Sequence, residues 1–308
     1  GGRRGSGAIY LPSATIIATF VTKTLDAAIS TAIAGFSFNT SAISGGRSIF
    51  RLLDSGTQQV EIVLNADGTL SVTRNATVLG TSTVSISTGA DEYIELKATI
   101  HDTAGSYELR LNGVNILSAT NVDTKNTANA SVNQISLGPA GNLGVLVTYK
   151  YDDFYLLDTS GPAPNNNFLG DVRIDPIYPN ADGHYTALTP STGTTHCLLV
   201  DEATPNTTDY NSSSTPGQKD SYGMTSPPVL SSEIIYAVRV KMAALKDDTG
   251  ARSIKVGVRS GTTDNESAAQ ALSTSLLYYS SIHETDPNTG LAWVPSGIDG
   301  LETLVEIV

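Results

Sequence analysis

In QQVEIVLNADGTLSVTR, residues 58–74, apolar side chains fall at every second position. Val60, Ile62 and Leu64 share one face, Asp67-Gly68 supplies a turn with positive φ, and Leu70 and Val72 return on that face. A period of two is the geometry of a strand with one buried side and is incompatible with a helix, whose faces repeat every 3.6 residues. The segment DEYIELKATIHD repeats the logic, with Ile94, Leu96, Ala98 and Ile100 directed inward and Glu95, Lys97, Thr99 and His101 outward. In SYELRLNGVNILSA, Tyr107, Leu109 and Leu111 precede Asn112-Gly113, and Val114 and Ile116 follow it, which describes a second hairpin.

Further short strands are read in AGFSFN, RSIFRLLDSG, GTSTVSIS and NQISLGP, and YDDFYLLD, residues 151–158, closes the series. So many short strands separated by turn signals predict a β-sandwich. The 308 residues suffice for two domains. TSGPAPNNN carries no apolar period and marks a linker over 161–172, dividing a first sandwich at 1–160 from a second, smaller one at 173–308. The second region is expected to open on a strand in FLGDVRIDPIYP and to pass through a long loop in DEATPNTTDYNSSSTPGQKD. Pattern resumes in EIIYAVRVKM, with Ile234, Tyr236, Val238 and Val240 on one face, and continues in RSIKVGVRSG, LLYYSSIHE and LETLVEIV. NESAAQALSTSLLYY has the alanine and leucine content of a short helix. The tetrapeptide NADG occurs at Asn65 and at Asn180 and is read as shared turn chemistry.

A formal charge of −12 argues against nucleic acid, whose phosphates require clustered Lys and Arg. The single Cys197 excludes an intramolecular disulfide, and four scattered histidines offer no zinc-ligand spacing. No run of eighteen apolar residues predicts a membrane span. The chain begins without Met and without a charged-then-apolar leader, and is read as a processed or truncated product.

Asp152 and Asp153 are the sharpest candidates for chemistry. As neighbours in a strand they are expected on opposite faces, whereas a general acid and base must converge, so a structural role is expected for them. Glu95 has no acid two positions away, RIDPIYP carries Asp175 alone, and no hydrolase pair or Gly-x-Ser-x-Gly elbow is present. No catalytic or cofactor-binding residue is assigned. His101, His184, His196 and His283 are read as satisfied or solvated. Asp54, Asp123 and Asp201 supply oxygen ligands suited to calcium, without an EF-hand spacing, so the metal assignment stays open. Most of the 13 tyrosines and Trp293 alternate with aliphatic residues and are read as core. The six Asn-x-Ser/Thr sequons, Asn75 and Asn129 among them, are expected by chance in so Asn- and Ser-rich a chain.

ELKATIHDTAGSYELRLNGVNIL together with YDDFYLLDTSGPAPNNNFLGDVRIDPIYPNADG resembles tailed-bacteriophage virion proteins that carry a concanavalin A-like (laminin-G-like) domain. The strand and turn ending in Asn-Gly at 94–113 and the Asp-Asp-hydrophobic strand at 152–158 carry the likeness, with 168–183 and later segments similar to the second module of those proteins. The resemblance implies an all-β chain, a jelly-roll sandwich followed by a smaller sandwich. It further implies a non-enzymatic virion component made in the bacterial cytoplasm and displayed on the particle exterior. Its partners would be other virion proteins, in a homo-oligomer or symmetric array. A lectin-like receptor-binding protein for host surface glycans is the alternative, and a depolymerase is the third reading.

Overall fold

The computed structural model describes residues 3, 8–12, 20–43, 45–139, 147–227 and 232–308. By contacts the chain divides into two units, Gly1–Ile174 and Asp175–Val308. In chain order the first holds β1 (Ile9–Pro12), β2 (Val21–Ile29), β3 (Thr31–Thr40), β4 (Arg47–Asp54), β5 (Thr57–Leu64) and β6 (Thr69–Arg74). These are followed by β7 (Thr77–Ser85), β8 (Glu92–Thr99), β9 (Gly105–Leu111), β10 (Val114–Val122), β11 (Val132–Leu137) and β12 (Thr148–Leu157).

They form two antiparallel six-stranded sheets, in the orders β1-β12-β3-β8-β9-β10 and β2-β11-β4-β5-β6-β7. The alternating residues do what their period requires: Ile62, Leu64, Leu70, Val72, Ile94, Leu96 and Leu109 are all buried between the sheets. The hairpin turns form at the expected dipeptides. Asn112 and Gly113 both adopt positive φ, 51° and 79°, a conformation that twists with the flanking strands. At the centre Phe38 stacks on Tyr149 at 5.6 Å, and the buried Tyr151 hydroxyl donates to the Ile49 carbonyl at 2.8 Å, so the polar end of a large core residue is satisfied.

The second unit contains β13 (Pro179–Thr186), β14 (Thr189–Pro190), β15 (Asn211–Ser212), β16 (Lys219–Met224), β17 (Val238–Ala244) and β18 (Ser253–Ser260). Then come β19 (Thr263–Glu266), β20 (Gln270–Ala271), β21 (Leu277–His283), the one-turn helix α1 (Pro295–Ile298) and β22 (Glu302–Ile307). A sheet in the order β13-β16-β22-β18-β19, with β20 also on β18, is faced by the β17–β21 ribbon. Val240, Val256, Val258, Tyr279 and Trp293 are buried in one cluster of this smaller sandwich. The all-β class expected from the alternation is the observed one.

Several local expectations are corrected. Residues 161–172 are not a free linker: Gly170 N–H donates to Glu95 at 2.8 Å, and the division between units falls after Ile174. FLGDVRIDPIYP forms no strand before its last residue, Pro179, which opens β13, and Pro176 there lacks the N–H that a ladder uses. The second NADG lies inside β13, in a stretch whose register shifts, so only the first makes a turn. Ile234 and Tyr236 precede β17, and Ile234 is 70% exposed. The segment expected to be helical contains β20 and the start of β21, because pairing with β18 and β17 outweighs a modest propensity.

An ion network crosses the larger sheet of the second unit. Lys219 Nζ reaches Glu266, Glu306 at 3.1 Å and Asp264 at 3.5 Å, and Lys255 Nζ reaches Glu306 at 3.1 Å. Burial works to raise the Glu306 carboxyl, but its contacts with Glu266, Lys255 and Lys219 outweigh it and hold the group at about 2 rather than 4.5. A carboxylate depressed on folding stabilises fully above its unfolded pKa, and that contribution is lost as pH falls through the folded one. The denaturation midpoint of the second unit is therefore expected to fall between pH 4.5 and about 2, and Glu306→Gln to flatten that dependence in denaturant titrations over the same window.

Candidate functional site on the outer face of the first sheet

The pairing registers place the outward residues of the first sheet in rows. Tyr10, Lys150 and Asn39 are successive Cα partners across β1, β12 and β3, and Asn39 Nδ2 donates to Asp91 Oδ1 at 2.8 Å. The next row is Asp152, Ser37 and Tyr93, and the one after it Tyr155, Gly35, Glu95 and Arg110. Asp152 and Tyr155 are three residues apart yet share a face, because β12 carries a bulge between them with Asp153 at φ 50°.

That bulge corrects the expectation for the two adjacent acids. Asp153 is buried and Asp152 half-buried, but they meet the same arginine: Arg3 N–H donates to Asp152 Oδ2 at 2.8 Å, and Arg3 Nε lies 3.3 Å from Asp153 Oδ2. Burial works against the Arg3 charge, and Asp171 and Asp153 outweigh it, so its pKa is raised. Tyr93 donates its hydroxyl to the Asp153 carbonyl at 3.0 Å, and Ile174 N–H donates to Asp153 Oδ1 at 2.9 Å.

Glu95 points to the outer face as expected, yet it is fully buried, because residues 168–174 lie over it. Its Oε1 accepts the Tyr155 hydroxyl at 2.6 Å and the Gly170 N–H at 2.8 Å. Burial, and then the bond to Glu95, push the Tyr155 phenol well above its ordinary value, so it stays protonated and acts as a donor. The ring of Tyr155 lies over Gly35, where a Cβ would come within 2.7 Å of its Cζ. Lys97, two residues beyond Glu95 in β8, reaches Asn167 Oδ1 at 3.4 Å.

Beyond the covered part the described residues leave the same face open. A cleft of about 300 Å³ is lined by Arg3, Ser37, Asn39, Asp91, Lys150 and Asp152. Tyr10, 56% exposed, stands at the edge strand with its ring 5.4 Å from Lys150 Nζ. The arrangement alternates donors (Lys150, Arg3, the Asn39 amide, the Ser37 hydroxyl) with the carboxylate acceptors Asp91 and Asp152, next to an exposed aromatic plane. Such a surface can hydrogen-bond vicinal hydroxyls and stack on an apolar ring face.

The other sequence candidates lie apart from it. His101 Nδ1 accepts the N–H groups of Thr103 and Ala104 at 3.0 and 2.9 Å, closing an exposed loop. His184 meets the Tyr185 ring edge-on at 4.6 Å. His196 Nδ1 lies 2.7 Å from Oδ2 of the fully buried Asp220, which also accepts the Tyr222 hydroxyl at 3.2 Å. No spacing in the sequence signals that dyad, whose members are 24 residues apart. His283 Nε2 lies 2.8 Å from Ser281 Oγ, and burial lowers its pKa. Burial, and then Asp182, raise the pKa of the Cys197 thiol.

Among the calcium candidates, Asp54 Oδ2 accepts from Thr127 at 2.6 Å and Asn129 at 3.0 Å, Asp123 pairs with Arg74, and Asp201 stands in coil. Among the described residues no three His, Cys, Asp or Glu side chains gather to hold a metal. Trp293 is buried and donates to the His283 carbonyl at 2.8 Å, which makes it core, and Asn75 sits in the turn before β7 at φ 42°. Among the described residues no helix is long and apolar enough to cross a membrane.

No protein-family model matches the chain, and no curated protein is similar to it in sequence. Solved structures similar in part include "Cellulose induced protein, Cip1", 18% identical over 50% of this chain and 80% of that one, with a TM-score of 0.41. Lectin II from Ulex europaeus is 14% identical over 49% of this chain and 86% of its own, with a TM-score of 0.37. A sialidase is 12% identical with a TM-score of 0.38, and this chain spans only 15% of its length. The alginate lyase Aly36B is 12% identical over 49% of this chain and 80% of its own, with a TM-score of 0.38. The sialidase and the lyase are enzymes, which corrects the expectation of a non-enzymatic chain: that exclusion does not stand.

The contact of Tyr155 with Gly35 yields a stability test. Gly35→Ala is expected to cost about 1–3 kcal/mol in urea unfolding, because a buried ring held by Glu95 cannot move aside freely. Gly223→Ala, where the added carbon finds 3.5 Å of clearance from Ala181, is the tolerated control.

Proposed function

We propose that the outer face of the first sheet recognises carbohydrate, and that the chain serves attachment to host surface glycans from the exterior of a phage particle. The observation that carries the recognition is the row Tyr10, Lys150, Asn39 and Asp91, in which an exposed aromatic ring adjoins side chains able to donate to and accept from neighbouring hydroxyls. The setting is supported by the likeness of 94–113 and 152–158 to tailed-phage virion proteins. In this reading the first unit is the recognition domain. The second joins the chain to other virion proteins, and copies act together in a symmetric array so that weak single contacts add.

A glycan array probed with the full chain tests the reading. Retention of a defined glycan is expected, and Tyr10→Ala should weaken it about two- to twelvefold, the share of an aromatic contact worth ~0.5–1.5 kcal/mol. An array that retains nothing, or retention indifferent to Tyr10→Ala and Asn39→Ala together, would sink it. Shortened products in the same incubation would show that the bound glycan is also a substrate. Immunogold imaging of intact particles tests the setting, and particles that carry no copy rule it out.

A further inference from the structure

The open cleft stops where the chain covers its own sheet. Residues 168–174 join no strand, and their one backbone bond within the segment runs from Val172 N–H to the Gly170 carbonyl at 2.9 Å. They are held by side chains of the face below. Leu169 N–H donates to the Tyr155 hydroxyl at 3.2 Å, Gly170 N–H to Glu95 Oε1 at 2.8 Å, and Ile174 N–H to Asp153 Oδ1 at 2.9 Å. Arg3 reaches Asp171 and the Val172 carbonyl, and the Phe168 ring lies 4.1 Å from the Arg110 guanidinium.

This cover does not complete the site beneath it. Glu95 is fully buried, and its second oxygen, Oε2, has no hydrogen-bonding partner among the described residues. A buried carboxylate oxygen without a donor is costly, and the closed arrangement carries that cost. A segment held without a ladder, over an acid it satisfies on one oxygen only, belongs to the low-stability end of a fold, where local opening is easiest.

We propose that residues 168–174 are a displaceable cover, and that Glu95, Tyr155, Tyr93 and Arg110 beneath it form a second subsite for an oligosaccharide longer than the open cleft accepts. The inference rests on the carbohydrate reading of that cleft. The rows are continuous: Tyr155, Gly35, Glu95 and Arg110 lie one row beyond Asp152, Ser37 and Tyr93. When the cover lifts, ligand hydroxyls replace the Gly170 and Leu169 N–H groups as donors, and one more supplies Oε2. Arg110, the cross-strand neighbour of Glu95, leaves Phe168 and turns to the ligand.

Hydrogen exchange on the full chain, read by mass spectrometry, tests this. Without ligand the amides of 169, 170 and 174 are expected to exchange by local opening, well ahead of those of β3 and β8. Exchange no faster than the sheet overturns the proposal. Phe168→Ala should raise that opening about two- to fivefold, the share of an exposed cation–π contact, and Phe168→Tyr should restore it. Next, a ladder from di- to hexasaccharide is cut from the glycan that the array retains. The longer members should bind more tightly than the disaccharide and speed exchange at 169–174. Disaccharide retention with no gain from longer members overturns the cover alone, whereas an array that retains nothing overturns both readings.

Discussion

One inserted residue in β12 decides what the outer face of the first sheet carries. With Asp153 at positive φ, the strand bulges, and Tyr155 moves onto the face that Asp152 already occupies. Without it, strict alternation would turn Tyr155 toward the other side, Gly35 would have no ring above it, and Glu95 would lose the phenol that binds its Oε1. The same backbone reversal brings the Asp153 carboxylate to Arg3 beside that of Asp152. The bulge therefore links the ordering of Arg3 near the N-terminus, the burial of Glu95 and the placement of residues 168–174.

The charges involved set the energetic terms of that arrangement. Ionised side chains taken from water are tolerated where each meets an opposite charge or a donor, and removing one member leaves its partner stranded. Asp153 has Arg3 as a counter-charge beside Oδ2 and the Ile174 N–H as a donor at Oδ1. Glu95 is supported on one oxygen only. The second unit shows the opposite solution: Lys219 and Lys255 share Glu266 and Glu306 in a lattice where every charge has a counter-charge. That lattice is complete, whereas under residues 168–174 Glu95 Oε2 has no hydrogen-bonding partner among the described residues.

What could be read from the sequence was local. The hairpins at Asp67-Gly68 and Asn112-Gly113 follow from a period of two and from residues that accept positive φ, and both are carried within a few residues of chain. Glu95 was legible as outward-facing, but its burial depends on a segment 75 residues away in sequence. The bulge was not legible at all, because YDDFYLLD alternates as well with it as without it, and only the pairing of β12 with β3 shows the shift. The same limit applies to His196 and Asp220, joined across 24 residues, and to the alanine-rich stretch near Gln270, where pairing with β18 overrides propensity. The cleft itself draws on Arg3, β3, Asp91 and β12, parts of the chain distant in sequence, so its residue set has no motif.

The charge balance of that cleft narrows what it can hold. Among the described residues its lining has two cations, Arg3 and Lys150, and two anions, Asp91 and Asp152. A charged ligand that gains from one pair must lie against the other, and like charges at contact distance disfavour binding as strongly as opposite charges favour it. A polyanion meets a further barrier in the net charge of −12. A neutral polyol has neither difficulty: each hydroxyl both donates and accepts, so it can use Asp91 and Lys150 together, and its ring can lie against Tyr10. The feature that keeps the cleft from selecting by charge is thus the one that suits it to an uncharged, hydroxyl-rich chain.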